Sequence, residues 1–298
     1  MLFTAKIGTR RSGAARTIAC TGATVGWGGR VASELATRGV KTRLIVRDPA
    51  RAPQLSGAEV AVAAYEDSDA MARALAGTST LFLVSGHEDP DRAMLHRKAV
   101  EGARLAGVER VVYTSFMGAA PNATFPFARD HCDTEQAVRE AGISLTSMRN
   151  ALYADVAPWF VGSDGVIRAP AGHGRLAWVA RADVARLAVV LLTEPGHEGQ
   201  IYDVSGPHAI DLHETARILT RATRRVITYH PEALDEARES RAGHPDWLVN
   251  GWIGSYLMLD TGEGSVTSHT IEHLTGQAPM SLSEFLLAEP QSFAHLLD

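Results

Sequence analysis

Thr17-Ile18-Ala19-Cys20-Thr21-Gly22-Ala23-Thr24-Val25-Gly26-Trp27-Gly28-Gly29-Arg30 begins as a short apolar run, breaks into glycines and then opens a helical pattern. Small residues at such a strand-to-helix turn let the backbone approach a diphosphate, whose charge is drawn to the free N–H groups of the following helix. Gly22, Thr24, Gly26, Trp27 and Gly28 are therefore candidate contacts of a dinucleotide. In a G-x-x-G-x-x-G frame Gly22 and Gly28 hold the first and third positions, while Val25 takes the second and Gly26 falls one place late. A side chain at position 25 is expected to crowd the diphosphate. A plain strand-to-helix turn is the competing reading.

The residues that follow strengthen the first reading. Ala32 to Arg38 continues a helix that stops at Gly39, and Thr42-Arg43-Leu44-Ile45-Val46 is a second strand, so the pattern is a βαβ unit. An acidic residue at the tip of that strand would bond the ribose of NAD, whereas a guanidinium pairs with the additional phosphate of NADP. Arg47 occupies the tip, with Asp48 behind it and Arg51 nearby. NADP(H) is the expected cofactor, and a merely solvated charge at position 47 is the alternative.

Strand and helix go on alternating. Ala58 to Ala63 reads as a strand, Ser68 to Leu75 as a helix, Thr80 to Val84 as a buried strand and Pro90 to Leu105 as a helix ending near Gly107. Arg110 to Thr114, Asp130 to Ala141 and Ser144 to Arg149 continue as strand, helix and strand. The series predicts an α/β fold of Rossmann type, a parallel sheet with helices on both faces. Ser85 and Thr114, at strand ends, are expected to face the cofactor crevice.

After Asn150 prolines and glycines punctuate the chain. A helix from about Ala182 to Thr193, a strand Ile201 to Val204 and a helix Leu212 to Thr223 follow. Trp247, Leu248, Trp252, Ile253, Tyr256 and Leu257 form an apolar stripe that suits either a core or a pocket wall. The expected organisation is a flexible extension over 1–16, a dinucleotide-binding domain over 17–150, and, over 151–298, mainly a small C-terminal substrate lobe with segments returning to the first domain.

The chain has 298 residues, 45% hydrophobic and 21% charged, with a formal net charge of -5. That balance gives no reason to expect nucleic acid or an anionic membrane as a partner, and no apolar run is long enough to span a bilayer. Two cysteines, Cys20 and Cys132, form no framework, so a reducing cytoplasm is the simplest setting. The 12 histidines lack metal-ligand spacing, and no metal is expected. A homodimer is left open.

Thr21-Gly22-Ala23-Thr24, Arg47-Asp48-Pro49, Leu83-Val84-Ser85, Arg110-Val111-Val112-Tyr113-Thr114-Ser115, His131-x-x-Thr134-Glu135 and Arg149-Asn150-Ala151-Leu152-Tyr153 occur in this order. Trp178-Val179-Ala180-Arg181-Ala182-Asp183 and Leu274-Thr275-Gly276 follow. In order and spacing the chain resembles the NmrA-like branch of the atypical short-chain dehydrogenase/reductases, and is similar to bacterial NAD(P)H:quinone oxidoreductases. The resemblance implies a Rossmann-type nucleotide domain with a small substrate domain. It leaves activity open, because the family holds both reductases and cofactor-binding regulators.

Typical short-chain dehydrogenases place a proton-donating Tyr one helical turn before a Lys. The corresponding helix here offers His131 and Glu135, which disfavours an ordinary ketone as substrate. A quinone spreads incoming charge over oxygen and ring, so hydride transfer from NADPH can precede protonation. His131 and Asn150 are the candidate catalytic residues, as donors to a substrate oxygen. A helix-start role for His131 and a turn role for Asn150 compete with that. Phe116, Tyr153, Trp159 and Trp178 are candidates for an aromatic wall, with core packing as the alternative. The expected function is an NADPH-dependent quinone reductase. The alternative is a non-catalytic NADP(H)-sensing regulatory protein. A serine hydrolase lacks its G-x-S-x-G elbow.

Overall fold

The computed structural model describes residues 17–24 and 26–297; the extension expected over 1–16 and the crowding expected at Val25 lie outside them. Seven parallel strands form the central sheet. In chain order the first half runs β1 (Ile18–Cys20), α1 (Gly26–Thr37), β2 (Thr42–Val46), β3 (Ala58–Val62), α2 (Ser68–Leu75), β4 (Thr80–Leu83), α3 (Arg92–Leu105), β5 (Arg110–Phe116), α4 (Pro126–Glu140) and β6 (Ser144–Asn150). Then come β7 (Val166–Ala169), β8 (Arg175–Leu176), α5 (Arg181–Thr193), β9 (Ile201–Val204), β10 (Ile210–Asp211), α6 (Leu212–Thr223), β11 (Thr228–Pro231), α7 (Leu234–Glu239), α8 (Asp246–Asp260), α9 (Thr270–Thr275) and α10 (Leu282–Ala288).

The sheet order β3-β2-β1-β4-β5-β6-β9 reverses direction at β1, which opens a crevice between the carboxyl ends of β1 and β4. Alternate side chains of the buried strands feed two cores. Phe82, Val112 and Met148 pack under α1, α5 and α9, with Trp27, Val31 and Leu35 one turn apart on α1. Leu81, Leu83, Val111 and Tyr113 pack under α2, α3 and α4. The helix-on-both-faces expectation is therefore met, and one hydrophobic face of each helix is buried.

Side-chain caps fix several helix starts. Asp67 Oδ1 accepts from Ala70 N–H at 2.8 Å and Asp211 Oδ1 from Glu214 N–H at 2.7 Å, each binding an amide that the helix itself leaves without a partner. Several strand ends shift by one or two residues from the sequence reading, and two helix starts differ by two or more. α4 opens at Pro126, four residues before Asp130, because proline with its fixed φ suits the first helical position while Phe125 stays extended. α3 opens at Arg92 rather than Pro90.

The C-terminal lobe is stitched by two small sheets, β11 with β7 and β10 with β8, around a third core that includes Phe127, Ile167, Trp178, Leu219 and Phe285. α8 joins it to α4: a Cβ on Gly251 would lie 2.4 Å from Phe127 Cζ, so only glycine admits that ring. Among the described residues no helix is long and apolar enough to cross a membrane.

Candidate active site

The glycine turn is shaped by contacts a side chain would break. Gly22 has φ +67°, and a Cβ there would sit 2.9 Å from Val84 Cβ; on Gly28 it would sit 2.6 Å from the Gly22 carbonyl oxygen. Above Gly26 a Cβ would meet nothing within 4 Å. The turn is thus closed against the sheet at Gly22 and Gly28 and open at Gly26, which suits a diphosphate at the start of α1. On this observation the residues fit a dinucleotide.

One cleft runs from that turn along the carboxyl ends of β2, β3 and β4. Thr21, Gly22, Thr24, Arg47, Arg51, Tyr65, Ser85, Arg92 and His96 line it, among others. Arg47 and Arg51 are exposed and make no ion pair among the described residues. Thr21 Oγ1 accepts from Val84 N–H at 2.8 Å, while the Tyr65 hydroxyl lies 2.7 Å from Thr21 Oγ1 and donates to the Val84 carbonyl at 2.5 Å. Thr114 Oγ1 accepts from Ser85 N–H at 2.7 Å, and His96 Nε2 from Gly86 N–H at 2.9 Å. The loop after β4 is therefore held by four side chains: Thr21 after β1, Tyr65 after β3, Thr114 on β5 and His96 on α3.

Four of the residues expected at the cofactor, Gly22, Thr24, Arg47 and Ser85, meet in this cleft. Gly26 and Gly28 do not line it, Gly28 packing instead against the Gly22 carbonyl, and Thr114, 1% exposed, acts through Ser85. Trp27 is elsewhere: its indole is buried edge-on against Phe82, with ring centroids 5.5 Å apart, leaving only its backbone to face the turn. Tyr65, Arg92 and His96 were not foreseen. Their signal was position, since Tyr65 follows the carboxyl end of β3 and Arg92 and His96 stand one turn apart at the start of α3.

Beside the cleft lies a buried polar cluster. Arg92 Nη2 donates to His131 Nε2 at 2.5 Å, which requires a neutral ring whose Nδ1–H then faces the Tyr113 hydroxyl at 2.8 Å. Burial, then Arg92 and His96, push the His131 imidazole well below its ordinary pKa. Burial pushes the His96 ring down to about 3, with Arg92 adding to the effect, and its Nδ1 bonds the Thr134 hydroxyl at 2.8 Å. Both nitrogens of His131 are thus engaged inside the protein. Asn150, 1% exposed, donates Nδ2–H to the Tyr153 hydroxyl at 3.3 Å, and its Oδ1 is buried without a partner.

Glu135, one turn beyond His131, is also internal. It accepts from Ser115 Oγ and Ser147 Oγ at 2.7 Å each and from Arg149 Nε and Nη2 at 2.9 and 2.7 Å. Of the aromatic candidates, Phe116 stacks on His131, Tyr153 tilts against Trp27, Trp178 is core, and Trp159 lies exposed on His295 with ring centroids 4.0 Å apart.

Known proteins agree with this geometry. A family model described as NAD(P)H-binding matches residues 22–195. Quinone oxidoreductase 2 of Escherichia coli (strain K12) is 34% identical over 277 residues, covering 90% of this chain and 96% of that protein. The (4-alkanoyl-5-oxo-2,5-dihydrofuran-3-yl)methyl phosphate reductase of Streptomyces griseus is 34% identical over 283 residues, covering 93% and 99%. The crystal structure of an NADPH-dependent quinone oxidoreductase from Escherichia coli, complexed with NADPH, superposes with a TM-score of 0.82 at 32% identity, covering 94% and 100%. The chain therefore belongs to the NAD(P)H-binding family, as its resemblance to the NmrA-like reductases implied, and is an NAD(P)H-dependent oxidoreductase.

Proposed function

We propose that this protein is an NADPH-dependent reductase that passes hydride to a quinone or a similarly electron-poor conjugated small molecule. The observation that carries the cofactor choice is a pair of exposed guanidiniums, Arg47 and Arg51, on the rim where β2 ends, which form no ion pair among the described residues. A ribose phosphate there gains charge-assisted hydrogen bonds that a bare ribose cannot make. Bound in the cleft, NADPH would supply a hydride. Gly22, Gly26 and Gly28 hold its diphosphate, Thr24 borders it, and Ser85, fixed by Thr114, lines the cleft beyond it.

The substrate class follows from what the neighbouring helix lacks. α4 carries His131 and Glu135 one turn apart where typical short-chain dehydrogenases carry Tyr and Lys, and both are consumed by internal hydrogen bonds. Such a site suits an acceptor that tolerates charge until water protonates it. The names of the relatives support the same class, a quinone in one and an unsaturated lactone in another. His131 and Asn150 then contribute by position: His131 by anchoring Arg92, Asn150 by holding Tyr153.

The purified protein is expected to oxidise NADPH only when a quinone is added, read as loss of nicotinamide absorbance. Tight NADPH binding with no oxidation across a panel of neutral quinones would instead establish a cofactor sensor. Arg47→Ala and Arg51→Ala are each expected to weaken NADPH about tenfold, because an exposed charge-assisted hydrogen bond is worth about 1.4 kcal/mol, and to leave NADH unaffected. Unchanged NADPH affinity in the double variant, read by fluorescence titration, removes the phosphate assignment.

A further inference from the structure

A buried arginine without a counterion stands where the cleft meets the C-terminal lobe. Arg92 is 5% exposed and lines the cleft, and its guanidinium carbon lies 5.8 Å from the centre of the Phe127 ring, which belongs to the C-terminal core. Its Nε is cut off from water and has no acceptor. Among the described residues no carboxylate forms an ion pair with it. Asp130, on α4, feels its field without reaching it, and Asp89 shares only the cleft wall. The neutral His131 accepts from its Nη2, and the Tyr113 hydroxyl is a further uncharged neighbour. A cation left unpaired in the interior is costly, and an anion arriving beside it in the cleft relieves that cost.

We propose that Arg92 receives the acceptor oxygen on which negative charge grows, so that it is a catalytic residue of the reduction and His131 is the residue that positions it. The proposal rests on the reductase reading above. In the step it serves, the quinone gains a hydrogen with both electrons of the broken nicotinamide C–H bond, NADP+ is left, and the quinone becomes the hydroquinone monoanion. Its charge rests on the oxygen against Arg92, and water supplies the proton that completes the hydroquinone. A fixed guanidinium in a site shielded from water stabilises that charge far more than solvent would, because no reorganisation is needed as the charge appears.

Two naphthoquinones of similar shape test this in the presence of NADP+: the anion of 2-hydroxy-1,4-naphthoquinone at pH 8 and the neutral 2-methoxy-1,4-naphthoquinone. The wild type is expected to bind the anion about 100-fold more tightly. Arg92→Met abolishes that preference, Arg92→Lys restores part of it, and NADPH affinity stays at the wild-type level in both. With a neutral quinone, kcat/KM falls about 100- to 1000-fold in Arg92→Met, the range seen when an oxyanion donor is removed. Should methionine at position 92 prevent folding, Arg92→Gln serves as the uncharged variant. Equal binding of the two naphthoquinones by the wild type, or a loss of NADPH affinity that accounts for the whole fall in kcat/KM, overturns the proposal. Selective anion binding without any quinone turnover sinks the reductase reading and leaves the role of Arg92 in anion recognition standing.

Discussion

Replacing Glu135 by alanine is expected to lower the unfolding free energy by about 3 kcal/mol, read as a shift of the urea midpoint at constant slope. The carboxylate is 1% exposed and joins three elements: α4, which carries it, β5 through Ser115, and β6 through Ser147 and Arg149. Burial pushes its carboxyl up, but the hydrogen bonds from Arg149, Ser147 and Ser115 outweigh that and hold it below the ordinary carboxylate range. Removal strands two buried hydroxyls and the Arg149 guanidinium, and also releases the half-exposed Arg139 guanidinium, 3.3 Å from Glu135 Oε2. Breaking a buried ion pair costs about 3–5 kcal/mol, and the low end applies because the Arg149 side chain retains 23% exposure and can regain water. Arg149→Leu in the Glu135→Ala background is expected to recover part of the loss, since neither charge is then left alone. A midpoint shift equivalent to less than about 1 kcal/mol in the single variant would show that water already does the work assigned to Arg149.

How far the sequence revealed this molecule depends on where each residue finds its partners. The strands Thr42–Val46 and Ile201–Val204 and the helices Ser68–Leu75 and Leu212–Thr223 have the bounds their local pattern predicts. Buried parallel strands are short apolar runs, and the glycines after α1, α3 and α4 mark where those helices end. β7, β8, β10 and β11 are two to four residues each and exist through distant pairing, Thr228 with Val166 for one, so no local period announces them. The cleft followed the same division. Gly22, Arg47 and Ser85 were legible because strand ends in an open α/β sheet face the ligand. Tyr65 was not, because its role is a bond to Thr21, 44 positions away. Trp27 was misplaced despite a visible signal: Trp27, Val31 and Leu35 repeat every fourth residue, the stripe of a helix face turned into the core.

Acid is expected to destabilise the protein through the same cluster that borders the cleft. His96 is fully buried and its ring is pushed down to about 3, by burial first and by Arg92 second, whereas an unfolded chain holds histidine near 6.5. Below about pH 6.5 the unfolded state therefore binds a proton that the folded state refuses, so stability is complete above that value and is lost as pH falls toward the folded value. Each pH unit in that window costs about 1.4 kcal/mol, which makes about 2 kcal/mol for His96 by pH 5. His131, pushed down by burial first and then by Arg92 and His96, adds a loss of the same sign. Asp130 works the other way, since burial pushes its carboxyl up, so the comparison must be made between variants rather than between absolute stabilities. Urea melts at pH 7.5 and pH 5 should show a drop for the wild type that His96→Gln reduces by about 2 kcal/mol, with glutamine still offering an oxygen to Gly86 N–H. Equal drops in the two proteins would mean that His96 takes up its proton in the fold. A neutral His96 keeps its Nε2 lone pair for Gly86 and so holds the loop after β4 in one shape at neutral pH; protonation would withdraw that acceptor and free the cleft wall beside Arg92.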